Sequence, residues 1–233
     1  MKFSLARPAL ALAVSLTLAS CGGGGKETFP VKATVSGVKY DGLILTTNGM
    51  EVAVPKPAKD GDPVVVTFPN GLDYGEHYNV VPKGGTASLG DGSQPAHQKC
   101  VTAGAPREYG TAGQTASVES ARTPAVEVFY VCSINTFPVG GKVTGLTSGT
   151  VTLINGSNSS ITVTAASDGS DVSFTLPAAV QFGATYGVSV LTQPDGFTCT
   201  ASNNVGEMNA AAETAGGANN VLVTCVAKPA TTP

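Results

Sequence analysis

The chain has 233 residues, of which only 12% are charged, and a formal net charge of −3; an ordinary soluble protein carries about 25% charged residues. Its 13 basic residues form no cluster, which argues against nucleic acid as a partner. Glycine and proline number 29 and 15, short of the proportion that marks a low-complexity chain, so a folded, turn-rich protein is expected.

Lys2 and Arg7 open the chain with positive charge, and residues 9–18 follow as an apolar run interrupted only by Ser15 and Thr17. Ten such residues are too few for the ~20 of a membrane-spanning helix; together they read as an export signal. The tetrapeptide Leu18-Ala19-Ser20-Cys21 resembles the bacterial lipobox. That resemblance implies removal of residues 1–20 and lipidation of Cys21 (palmitate among its acyl chains), which makes the membrane a partner through a lipid anchor. Gly22 stands where an aspartate retains enteric lipoproteins in the inner membrane, so the resemblance implies the outer membrane of the cell envelope, facing periplasm or surface. Residues 21–28 then form the lipidated cysteine and a flexible tether, with Gly22 to Gly25 letting the folded part clear the headgroups.

Beyond the tether the two halves match at an offset of 108 residues: Phe29-Pro30-Val31 with Phe137-Pro138-Val139, Val35 and Gly37 with Val143 and Gly145, Gly75 and Tyr78 with Gly183 and Tyr186. Within each copy the apolar period is two, the mark of half-buried strands. Val64, Val66 and Phe68 share one face in the first copy; Val172, Phe174 and Leu176 do so in the second. Asn48-Gly49 and Asn155-Gly156 sit between such runs, where a two-residue hairpin requires positive φ at both turn positions. No helical period is sustained outside the signal. The expected fold class is all-β: two tandem antiparallel immunoglobulin-like β-sandwiches, one in 29–135 and one in 136–228, with 229–233 as a tail.

The stretches YGVSVLTQPDGFTCT and NNVLVTCV resemble a cysteine-paired immunoglobulin-like repeat of secreted and lipid-anchored proteobacterial proteins. That family has no assigned chemistry and often serves as a stalk or spacer, and LTQPDGFTCT has no clean counterpart before Cys100. With Cys21 set aside, four cysteines remain, and four allow three connectivities. Cys100 and Cys199 occupy matching places late in each copy, and Cys132 and Cys225 close each copy's last strand. The repeat therefore implies Cys100–Cys132 and Cys199–Cys225 disulfides.

No catalytic constellation stands out. His77 lies beside inward-facing Tyr78 and reads as a surface residue, and His97 has no second histidine or thiolate spaced to complete a metal site. Neither histidine has a recognisable nucleophile setting. The glycine-rich 84–92 lacks the lysine and hydroxyl of a phosphate loop. Asp60, Asp62, Asp168 and Asp171 lie close in Asp-Gly stretches that turn chemistry explains as well as calcium does. No metal, cofactor or enzymatic activity is expected. The chain reads as a non-enzymatic envelope protein presenting two sandwiches for structural or adhesive contacts, with a glycan- or protein-binding module as the alternative. The first copy is longer on both sides of Cys100, and the extra length gathers His97, Lys99, Arg107, Tyr109 and Arg122. Loops on a rigid scaffold commonly carry binding, and Arg and Tyr are enriched where binding energy concentrates. These five residues are the candidate interaction loop for an envelope or surface protein or a glycan.

Overall fold

A computed structural model describes residues 28–104, 108–113 and 125–229. The signal, Cys21, the glycine tether, Arg107 and Arg122 lie outside the described residues. The first half contributes β1 (Thr28–Phe29), β2 (Val31–Ser36), β3 (Ile44–Thr47), β4 (Met50–Ala53), β5 (Val64–Thr67) and β6 (Leu72–Asp73). It continues with β7 (His77–Asn79), β8 (Val81–Pro82), β9 (Gln98–Thr102), β10 (Tyr109–Thr111) and β11 (Val126–Ile134). The second half begins with β12 (Thr136–Phe137), β13 (Val139–Thr144), β14 (Thr150–Asn155), β15 (Ser159–Thr164), β16 (Val172–Thr175) and β17 (Val180–Gln181). It ends with β18 (Thr185–Thr192), β19 (Phe197–Ser202), β20 (Val205–Glu207), the short helix α1 (Ala210–Thr214) and β21 (Ala218–Ala227).

The fold is two tandem β-sandwiches. In the first, the sheet β5-β2-β11-β9 covers β4-β3-β8 and the β7–β10 ladder; in the second, β16-β13-β21-β19 covers β15-β14-β18-β20. Most ladders are antiparallel. Among the described residues each sandwich has one parallel pair, formed where the first long strand lies beside the last: β2 with β11, and β13 with β21. The alternation read from the sequence is the alternation that packs. Val31, Ala33 and Val35 of β2 are buried with Val126, Val128 and Tyr130 of β11, while Val139, Val143, Val221 and Val223 play the same part in the second core. Each half closes its own cluster around its own cysteine pair, Cys100–Cys132 and Cys199–Cys225, with the paired residues directly opposite in their ladders.

Tyr130 is the largest side chain wholly inside the first core. Its hydroxyl donates to the Val80 carbonyl at 2.7 Å, which removes the cost of burying an unmatched polar group. Burial, with Glu108 second, pushes its ionisation well above the ordinary tyrosine range.

Two local readings differ from the sequence. Asn48 and Gly49 both take positive φ and close a two-residue hairpin between β3 and β4. The second hairpin has three residues between Asn155 and Ser159, and only Gly156 is left-handed. Asn155 stays in its strand because its side-chain oxygen accepts a bond from the Gly187 N–H at 2.8 Å. The helix α1 carries no long period; Asn209 caps it by accepting from the Ala211 and Ala212 N–H groups at 3.1 Å, and the alanines that follow do the rest.

Candidate functional site

The segment before Cys100 does have a counterpart. Gln94-Pro95 stands six residues before Cys100, as Gln193-Pro194 does before Cys199. In both copies the glutamine side chain accepts the cysteine N–H, at 2.8 and 2.7 Å. In both, the proline carbonyl accepts the N–H two residues before the cysteine, at 3.3 Å. The copies are equivalent here with the offset reduced to 99, because the first has lengthened upstream. In this register His97 occupies the position of Gly196.

That equivalence exposes a cost. Gly196 has φ +74, a left-handed conformation natural to glycine. His97 adopts the same conformation at φ 59, which a side chain opposes by about 1–2 kcal/mol.

The compensation lies across the boundary between the sandwiches. The His97 ring stacks on Phe182 with centroids 3.6 Å apart and planes 5° from parallel. Tyr40 packs edge-on to both rings, at 5.5 and 6.2 Å. His97 Nδ1 pairs with Glu213 Oε2 on α1. Asn135, between the last strand of one sandwich and the first of the next, ties the group together. Its N–H donates to the His97 carbonyl at 2.9 Å, its carbonyl accepts the Phe182 N–H at 2.9 Å, and its side-chain amide donates to Glu213 Oε1 at 3.2 Å. An aromatic pair contributes about 0.5–1.5 kcal/mol and a side-chain hydrogen bond about 0.5–1.5 kcal/mol. Together they offset the backbone strain.

The remaining predicted residues fall elsewhere. Lys99 runs along β9 with its stem against Gly90, near Asp91, whose carboxyl is held below its ordinary range chiefly by bonds from Thr86. Tyr109 lies in the β7–β10 ladder opposite Asn79 and is half-exposed. Sequence reasoning missed Tyr40, Asn135, Phe182 and Glu213. The repeated Gln-Pro spacing before the cysteine, followed to the one place where a histidine replaces a glycine, is the signal that finds the site.

Other chemistry has little to stand on. Among the described residues no three His, Cys, Asp or Glu side chains come together as a metal site needs. The Asp168 carboxyl is held below its ordinary range by bonding from the Ser170 side chain first and from the Ser170 N–H, at 3.0 Å, second. A cavity of about 480 Å³ opens between β20, α1 and the start of β21. Its lining includes Tyr186, Glu207 and three asparagines and, among the described residues, no histidine, cysteine, lysine or arginine.

No protein-family model matches this chain, and no curated protein is detectably similar. Among solved structures, a C-terminal fragment of the pilus adhesin SpaC from Lactobacillus rhamnosus GG aligns at TM-score 0.36 and 11% identity, covering 88% of this chain and 100% of the fragment. The major pilin T-13 of Streptococcus pyogenes aligns at 0.26 and 14%, covering 88% and 98%. A longer SpaC structure aligns at 0.33 and 10%, covering 86% of this chain and 31% of that one. Similarity at this level assigns neither kinship nor role.

The junction makes a direct prediction. His97→Gly and His97→Ala will both uncouple the sandwiches, seen as averaged inter-domain residual dipolar couplings. Only alanine keeps the strain, so His97→Ala will be about 1 kcal/mol less stable than His97→Gly in thermal unfolding. Equal stability of the two variants, with orientation unchanged, would show that the junction is held by other residues.

Proposed function

We propose that this chain is a non-enzymatic, lipid-anchored protein of the cell envelope, held in the outer membrane through Cys21, in which two immunoglobulin-like sandwiches act as a spacer for structural or adhesive contacts. The observation that carries the reading is the junction. A spacer has to transmit orientation, and His97 holds a strained backbone in order to pack against the second sandwich. An independent pair of modules would have kept a glycine there, as the second copy does at Gly196. The first sandwich, with Lys99, Arg107, Tyr109 and Arg122, is the proposed side for a surface protein or glycan. A second reading, a ligand-binding module, draws on the cavity beside α1; binding of a soluble glycan there would put it first.

Anchoring is tested with Cys21→Ser. The variant will lose the mass of the acyl chains and the processing that exposes Cys21, and it will move from the detergent to the aqueous phase on phase partitioning, with both sandwiches still folded. Unchanged mass and partitioning would end the anchor reading.

A further inference from the structure

An unpaired strand at a sheet edge is a template for another strand, and folded proteins guard such edges with charge, proline, short length or a covering side chain. Because this chain holds two copies of one sandwich, each edge has an internal control. β5 and β16 are four residues long; Pro63 and Pro69 bracket the first, and Asp171 and Pro177 bracket the second. β20 has three residues and carries Glu207. β9 carries Lys99. β19 is six residues and uncharged, but the Gln193 side chain covers its edge, bonding both the N–H and the carbonyl of Cys199.

One edge departs from this pattern. β15 is six residues, SSITVT, with no charge and no proline. Among the described residues its only strand partner is β14. The corresponding edge of the first sandwich is β4, shorter, with Glu51 paired to Lys83 at 2.9 Å and with Pro55 and Lys56 following one residue beyond its end. The second copy lacks all of these guards. Ile161 on β15 packs against the second core yet stays only half-buried, so apolar surface on the core side of this edge is left for a neighbour to cover.

We propose that β15 is a docking edge for β15 of a second copy of this chain, adding across a two-fold axis in antiparallel register centred on Thr162. The strand is self-complementary in that register. Matching faces requires residues of like parity to oppose each other. Centring on Thr162 sets Ile161 against Val163 of the second copy twice, Thr162 against itself, and Ser160 against Thr164. Cross-strand pairs of β-branched residues are the stabilising kind. The acidic turn with Asp168 and Asp171 then extends towards the other copy's Asn155-Gly156 hairpin and not towards its own counterpart, so no like charges meet.

The direction of the strand sets the geometry of the pair. Phe182 is at the junction, and β18, which starts at Thr185, runs away from it; β14 is antiparallel to β18, and β15 to β14. β15 therefore runs away from the first sandwich, and antiparallel pairing sends the two first sandwiches to opposite ends. The pairing itself does not depend on the anchor; only its consequence, two copies bridging two membranes, rests on the function proposed above.

The test uses the full chain carrying Cys21→Ser, because the other four cysteines are disulfide-bonded and no unpaired thiol then remains. Thr162→Cys will give a disulfide-linked dimer on mild oxidation, since directly opposed strand residues lie within bridging distance. Thr175→Cys, exposed on the guarded edge strand β16, will not. Sedimentation will show a concentration-dependent dimer of the parent, and Ile161→Lys will weaken it by about tenfold or more, because a lysine would be carried into an apolar seam. Thermal unfolding of each variant checks that the sandwiches are intact. A parent that stays monomeric overturns the proposal. So does equal cross-linking at 162 and 175, or a dimer indifferent to Ile161→Lys. Unchanged mass and partitioning of the Cys21→Ser chain, with dimerisation intact, would fault the anchor alone.

Discussion

Replacing Cys199 and Cys225 together by alanine will lower the stability of the second sandwich by about 3–4 kcal/mol. The bridge spans 26 residues and ties β19 to β21 at directly opposed positions, so without it the unfolded chain regains the closure entropy of that loop. Both cysteines are also buried, and their loss leaves the sulfur volume unfilled. In a unit of about 90 residues such a change moves the midpoint by more than about 10 °C. Differential scanning calorimetry should show the transition of the second sandwich falling by that amount while the first, with its own Cys100–Cys132 bridge, moves much less. A shift of only a degree or two would mean that the strand core stabilises the sandwich without the bridge.

How much of this was legible in the sequence depends on whether the signal was periodic. Val64, Val66 and Phe68 alternate, and all three are buried. Val35 and Gly37 match Val143 and Gly145 because both pairs end the first long strand of their sandwich. The cysteine pairs followed from the same duplication. The parallel β2–β11 and β13–β21 ladders were not visible, since alternation records which face is buried and says nothing about which strand lies alongside.

The junction was hidden for a different reason. A histidine in a left-handed conformation looks like any loop histidine until its glycine counterpart is known, and a comparison held to one offset of 108 passes over the register of 99 that reveals it. Phe182 matches Tyr74 in the repeat, yet Tyr74 is 62% exposed and lies against Phe29, whereas Phe182 receives His97. The same repeat position thus has two environments, decided by which sandwich precedes it. Nothing in a single copy records that difference.

Gly145→Ala will be among the most damaging single changes in the second sandwich, and the reason can be separated experimentally into two parts. Gly145 has φ +73, and a Cβ built there would lie 2.3 Å from the Cys225 carbonyl oxygen. Its counterpart Gly37 has φ +75, with the Cys132 oxygen at 2.4 Å. Each glycine follows the first long strand and lets the chain turn tightly against the disulfide cysteine of the last. Alanine there carries the left-handed penalty of about 1–2 kcal/mol and also displaces a backbone carbonyl of β21, disturbing the parallel ladder. The total expected loss is about 3 kcal/mol or more. Gly156 provides the control: its φ is +64, but nothing lies within 4 Å of a Cβ placed on it. Gly156→Ala should therefore show the conformational penalty alone, about 1 kcal/mol. Denaturant unfolding of the two variants measures the difference, which is the cost of the carbonyl clash. If the two losses are equal, the contact with Cys225 adds nothing, and Gly145 is required only for its backbone conformation.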